Sequence, residues 1–242
     1  MSQRKKVIAA GPGNPPVLVD ETACLHRASE QIIRGAGFDN NILCIAEKET
    51  FVVASVFDRF MGAMEKAGAV RLNRLQIRSL TEKTFIRAGD RWEVNRDLVG
   101  KNAAVLAKAA GLLTLTDDVR LLFGETEFDH PFVQEEQMMP FMPVVRVGDV
   151  REGIDLAVKA ERGYGHTAMI HSNHLDSITA FCRALNTSIV VVNGSSLAGN
   201  GPPAGEGYFS HTIASPTGEG VCTPRNFARI RRICSYRSLR IV

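Results

Sequence analysis

The stretch "FDNNILCIAEKETFVV" (residues 38–53) places Cys44 between a polar, turn-like run, Asp39-Asn40-Asn41, and an apolar segment of strand character. A thiol in that position is either a small buried residue or a nucleophile at the lip of a sheet. A free thiol titrates at about 8.5, so only a few per cent is thiolate at neutral pH. A nucleophile therefore needs a cluster of backbone amides, a helix N-terminus or a cation nearby. A turn of Asp and Asn leading into a strand can present such amides. Spacing alone leaves both readings of Cys44 open and favours the buried thiol. Cys24, Cys182, Cys222 and Cys234 fall on helices or in the C-terminal region and read as structural.

Other chemistries find less support. The five cysteines form no C-x-x-C pair, and the odd count argues against a disulfide framework. That pattern suits a reducing cytoplasm. His166, His171 and His174 have x4 and x2 spacings, but no Cys or carboxylate completes a ligand set, so no metal is expected. No G-x-x-x-x-G-K-[ST] loop and no G-x-S-x-G elbow occur, and "GPGNPP" has prolines where a dinucleotide-binding helix would start.

The 242 residues suffice for one large domain or two small ones. With 45% hydrophobic and 23% charged residues, the composition is that of a globular protein. A net charge of +3, with no basic stripe interleaved with aromatics, gives no reason to expect a nucleic-acid partner. No apolar run is long enough to span a membrane, and the apolar stretch after the basic start is too short for a signal peptide.

The elements that must position Cys44 follow from periodicity. "VIAAGPGNPPVLV" (residues 7–19) reads as strand, Gly/Pro turn and strand. A helix capped by Asp20 or Thr22 follows, with Ala28, Ile32 and Ile33 on its apolar face and Gly35 and Gly37 stopping it. "TFVVAS" is a strand, and the next helix carries Val56, Phe60 and Met64 in register. Between residues 70 and 117, "LTEKTF" and "GKNAAVLAKAAGL" look helical and "GDRWEVNRDLVG" reads as a loop. From "VRLLFGET" onward the alternation is clean. Strands "MPVVRVG", "TAMIHS" and "TSIVVVNG" enclose one helix with Val150, Ile154 and Val158 in register and another capped by Asn173. Strands alternating with helices predict an α/β fold with a mainly parallel sheet flanked by helices. The strands are near-continuous apolar runs, as expected when both faces are covered. A Gly- and Pro-rich loop (194–209) and an arginine-rich, strand-like tail follow.

Several stretches resemble one family in order and spacing. "FDNNILCIAEKETFVV" resembles the nucleophile segment of the aldehyde dehydrogenase superfamily, and more closely that of its CoA-acylating branch, the acetaldehyde and propionaldehyde dehydrogenases of ethanolamine and propanediol utilisation. "GPGNPPVLVDETA" resembles that branch's lead-in strand and "NRDLVGKNAAVLAKAAGL" a stretch of its middle. "EEQMMPFMPVVRV" is similar to the cofactor-side motif, and "GHTAMIHS", "TSIVVVNG" and "SPTGEGVCTPRNFARIRR" to the C-terminal third. The resemblance covers nearly the whole chain, and its specificity lies in the combination.

The resemblance implies that Cys44 attacks an aldehyde, that hydride passes to NAD or NADP, and that the thioacyl-enzyme is released by coenzyme A. It implies that Glu136 hydrogen-bonds the nicotinamide-side ribose, that Met138 lies beside the nicotinamide ring, and that His166 serves the acyl or CoA channel. Hydrolytic relatives carry a water-activating glutamate at about the position of Ala9, and here no Glu precedes Glu21. Without that base, water attack should lose roughly 10²–10⁴-fold, whereas a thiol needs less help.

Family members are roughly twice this length, so the resemblance is to their C-terminal half. It divides the chain into a lead-in strand and linker from the cofactor domain (1–19), a thiol-bearing catalytic domain (20–200) and a Gly-rich return segment with an oligomerisation tail (201–242). The expected partners are a small aldehyde and CoA, with a homo-oligomer or full-length homologue and a bacterial microcompartment as further associations. The expected location is the cytoplasm. Two alternatives stand beside this reading: a hydrolytic dehydrogenase, and a non-catalytic fragment docked on full-length subunits.

Overall fold

The computed structural model describes residues 6–89, 91–112 and 118–236. The chain opens with β1 (Pro16–Val19), α1 (Leu25–Ala36), β2 (Glu49–Val53) and α2 (Ala54–Lys66). It continues through β3 (Val70–Arg71), α3 (Arg74–Thr84), the hairpin β4 (Phe85–Ala88) and β5 (Arg91–Val94), and α4 (Ala103–Ala109). Next come β6 (Leu122–Glu125), α5 (Pro131–Gln134), β7 (Phe141–Val147), α6 (Val150–Glu161), β8 (Thr167–His171), α7 (Leu175–Leu185) and β9 (Ile189–Val192). A short pair, β10 (Ile213–Ala214) and β11 (Gly220–Val221), and one helical turn, α8 (Pro224–Phe227), complete the described chain.

Seven strands form one sheet in the order β3-β6-β7-β2-β1-β8-β9, and every pairing in it is parallel. From β1 the chain passes to β2, runs out to the β3 edge, returns through β6 and β7, and crosses to β8 on the other side of β1. All residues of β1, β2 and β8 are buried, so the central strands are covered on both faces, as their apolar runs predict. The main core joins these strands to α1, α2 and α6, with Phe51, Phe57, Phe60 and Phe181 fully buried. A second cluster around Leu80, Leu106, Phe132 and Phe141 packs α3 and α4 against β6 and β7.

Local readings of the sequence fare unevenly. Val56, Phe60 and Met64 are all buried on α2, as their spacing predicts. On α6, Ile154 is buried but Val158 is 40% exposed, and Ala157 and Ala160 take the core side instead. Eight residues at 100° per residue advance 80° past two full turns; the buried face of α2 is broad enough to hold such a row, whereas the buried stripe of α6 has passed to Ala157 and Ala160 by Val158. The N-cap of α1 is Cys24, not Asp20 or Thr22, because Asp20 turns back on itself: its Oδ1 accepts from the Thr22 N–H at 2.9 Å and the Thr22 hydroxyl at 2.6 Å. Asn173 likewise is not the cap of α7. It bonds Thr22, and His174 Nδ1 accepts from the Ser177 N–H at 3.3 Å. Gly35 lies inside α1 rather than stopping it, and Gly37 is the C-cap. Residues 7–10 form no strand; Val7 is exposed, and the Ala9 N–H bonds Thr217 Oγ1. "GDRWEVNRDLVG" supplies β5 of an antiparallel hairpin, closed by Trp92 edge-on to Phe85. The strand-like end of the tail, residues 237–242, lies outside the described residues.

Candidate active site

Four loops enter the sheet at one end. Gly13 and Asn14 precede β1, Cys44 precedes β2, Glu136 and Met138 precede β7, and His166 precedes β8. Strands β7, β2, β1 and β8 are consecutive neighbours, so parallel pairing gathers the four loops at their amino ends. Ligands of open α/β sheets more often sit beyond the carboxyl ends. Here the chemistry-bearing residues collect at the opposite edge.

The Cys44 loop owes its shape to the polar run before it. Asp39, Asn40 and Asn41 all adopt left-handed backbone, with φ of 47°, 52° and 66°. Asn and Asp tolerate this region better than other side-chain-bearing residues. Asn41 is buried, and its amide donates to the carbonyls of Ala36 and Glu47, both at 2.9 Å. The loop is therefore tied at once to the end of α1 and to the approach to β2. Gly13 packs closely against it. A Cβ on Gly13 would fall 2.6 Å from the Cys44 carbonyl oxygen and 3.0 Å from His166 Cγ. This close approach brings the thiol segment and the His166 ring to the same glycine.

Cys44 is half-buried. Its thiol is raised above its ordinary value, first by burial and then by the Glu136 carboxylate, with Lys48 opposing. Glu136 is itself raised by burial, against the pull of Lys48 and the Gly13 N–H. His166 is 1% exposed, and burial with the Lys48 charge lowers it to about 4. It is thus neutral at pH 7. Its Nδ1 lies 2.8 Å from Thr167 Oγ1, and its backbone N–H donates to Glu161 Oε1 at 3.0 Å, while Nε2 has no hydrogen-bond partner among the described residues.

Met138 has φ of 49°, an uncommon conformation for a side chain of its size, and its carbonyl accepts the Gly100 N–H at 3.1 Å. With Glu136, Glu93, Val94, Arg96 and Val99 it lines a cavity of about 370 Å³. A larger cavity of about 460 Å³, lined by Ile77, Trp92 and His130 among others, includes none of the four candidate residues. His166 and His171 bracket β8, roughly 16 Å apart at strand rise. Among the described residues no group of three or more His, Cys, Asp or Glu could hold a metal ion.

The sequence reading picked out Cys44, Glu136, Met138 and His166, and it passed over the three charges in "EKE". Glu47, Lys48 and Glu49 are all buried. Glu47 accepts from the Ser196 N–H at 2.8 Å and its hydroxyl at 2.7 Å, and Gly35 makes room for it: a Cβ there would lie 2.1 Å from the carboxylate. The available signal is three consecutive charges running into the strand "TFVV" with no turn residue between them.

Burial raises Glu47 to about 7. The stability gained from burying its neutral form is complete below the ordinary value of 4.5 and is lost as pH rises through 7. Glu47→Gln keeps the shape and cannot ionise. We expect it to be more stable than the parent at pH 8, by about 1–3 kcal/mol, with the difference shrinking towards pH 5. Urea unfolding at several pH values checks this; a parent whose stability relative to the variant rises with pH would contradict it.

No family model matches the sequence. The acetylating acetaldehyde dehydrogenase EutE of Salmonella typhimurium is 48% identical over 240 residues, covering 98% of this chain and 51% of the relative. A propionaldehyde dehydrogenase from the fucose utilisation bacterial microcompartment of Clostridium phytofermentans superposes with a TM-score of 0.90 at 40% identity, over 98% of this chain and 53% of that one. The Rhodopseudomonas palustris propionaldehyde dehydrogenase with bound CoA and an acylated cysteine gives a TM-score of 0.88 at 40% identity, over 94% of this chain and 51% of that one. The chain thus spans about half the length of these relatives. Sequence identity along almost all of its residues and the shared parallel-sheet topology agree: the chain is homologous to about half the length of the CoA-acylating aldehyde dehydrogenases.

Proposed function

We propose that this chain carries the thiol half of an enzyme that converts a short-chain aldehyde, NAD(P)⁺ and CoA to acyl-CoA, NAD(P)H and a proton. The observation that carries this reading is the approach of the Cys44 backbone and the His166 ring to the same face of Gly13, with the Glu136 charge acting on the Cys44 thiol. In this reading Cys44 Sγ adds to the aldehyde carbonyl carbon and later holds the acyl group as a thioester. NAD(P), when bound, accepts the hydride. Glu136 and Met138 would hold that cofactor: a half-buried carboxylate able to accept from ribose hydroxyls, and a half-buried apolar side chain lining the same cavity. His166, neutral and with Nε2 unpaired among the described residues, can accept the proton of the incoming CoA thiol. The thiol then displaces Cys44 from the acyl carbon.

A hydrolytic outcome needs a base for water. Ala9 supplies none, and Glu136 is the carboxylate whose charge acts on Cys44. Residues 20–200 would form the thiol domain and 201–242 a return segment that contributes to a homo-oligomer. The location would be the cytoplasm or a bacterial microcompartment, the setting named for one structural relative. No helix among the described residues is long and apolar enough to cross a membrane.

The test is incubation of the chain with acetaldehyde or propanal and NAD or NADP, with and without CoA, alongside calorimetric titration with each cofactor. Reduced cofactor and acyl-CoA that form only when CoA is present are expected. Free acid formed without CoA would favour the hydrolytic reading. No cofactor binding and no turnover, with co-purification of a longer homologue, would make the chain a docking partner instead.

A further inference from the structure

Lys48 is 0% exposed, an unusual state for a lysine. Its ammonium makes no carboxylate ion pair among the described residues. It donates instead to the Asn41 carbonyl at 2.8 Å, to Asn41 Oδ1 at 2.6 Å and, more weakly, to the Leu43 carbonyl at 3.4 Å. These acceptors are the last left-handed residue of the polar turn and the residue just before the thiol. A buried charge is costly unless hydrogen-bonded, and the loop that carries Cys44 provides those bonds. The backbone of Lys48 is pinned as well: its N–H donates to the Pro15 carbonyl at 3.0 Å, and its carbonyl accepts from Gln137 Nε2 at 3.4 Å. One residue thus links the strand before the thiol, the segment beside Glu136 and the nucleophile loop.

We propose that Lys48 is the positioning residue for Cys44, its buried ammonium holding the nucleophile loop closed and, while protonated, favouring the thiolate. The proposal rests on the reading of Cys44 as the nucleophile. The charged groups acting on Lys48 are Glu136, Cys44, Glu49 and Glu47, and Lys48 in turn acts on His166. Glu136 opposes Lys48 at the thiol, raising it where Lys48 lowers it. A lysine that served packing alone would leave the thiol's ionisation unchanged once removed.

The experiment is iodoacetamide alkylation against pH on the whole chain, followed by the mass of the Cys44 peptide, which needs no cofactor or aldehyde. Lys48→Met and Lys48→Gln should raise the midpoint by about one pH unit and slow alkylation at neutral pH about tenfold, the scale of one nearby opposite charge. Glu136→Gln should lower the midpoint. A folded Lys48 variant with the parent's midpoint overturns the proposal. Should neither Lys48 variant fold, Glu136→Gln decides, and an unchanged or raised midpoint there overturns it. A Cys44 that resists alkylation at every pH overturns the nucleophile reading itself, whereas a reactive Cys44 with an unmoved midpoint overturns only the role of Lys48.

Discussion

Replacing Cys44 with alanine is expected to abolish formation of both reduced cofactor and acyl-CoA in any assembly that contains this chain and turns over. The thiol is the atom that bonds the aldehyde carbon, so its loss removes the covalent path rather than weakening a contact. The substitution deletes one half-buried sulfur and should leave the fold intact. Cys24, Cys182, Cys222 and Cys234 provide the internal comparison, since none lies in the loops that gather at the amino ends of β7, β2, β1 and β8. Alanine at any of those four should leave turnover near the parent's. Steady-state assay of the five variants settles the point, and turnover surviving Cys44→Ala would end the proposed mechanism.

Gly13→Ala should be nearly as damaging through geometry alone. The new methyl would sit 2.6 Å from the Cys44 carbonyl oxygen and 3.0–3.2 Å from two ring carbons of His166. Neither neighbour can retreat. The Cys44 loop is held through Asn41 and Lys48, and His166 is bonded to Thr167 and Glu161. The methyl must therefore push the nucleophile off its position, and a misplacement of about 1 Å can cost about 10²-fold in rate. Gly62→Ala is the matched control: on α2, nothing lies within 4 Å of its added methyl, and helix propensity should improve by about 1 kcal/mol. Activity unchanged in Gly13→Ala would mean that Cys44 and His166 do not work as one site.

The legible parts of the fold were those with strong periodicity. From β6 onward, strand and helix alternate with buried strands and single-faced helices, and the parallel sheet follows. Capping residues were misread where a polar side chain had a better partner elsewhere: Asp20 bonds Thr22 and Ser172, and Asn173 bonds Thr22. The Asp20–Thr22 turn is local, but the Ser172 and Asn173 bonds depend on β1 and β8 lying side by side, which local sequence does not encode. The hairpin β4–β5 was hidden for a similar reason, since its strands are held by Phe85 packing on Phe132 and Trp92.

By itself the sequence determined the α/β class, the polar turn before Cys44 and, through resemblance, the family and its candidate residues. Each of these is carried by neighbours in the chain or by motifs in order. The tertiary structure alone decided that residues as distant as Gly13, Cys44, Glu136 and His166 share one edge of the sheet, and that Lys48 and Glu47 are buried beneath them. Strand order fixes which loops meet, and burial fixes which charges act on a thiol. Both arise from long-range parallel pairing, where residues far apart in the chain bury one another's surfaces.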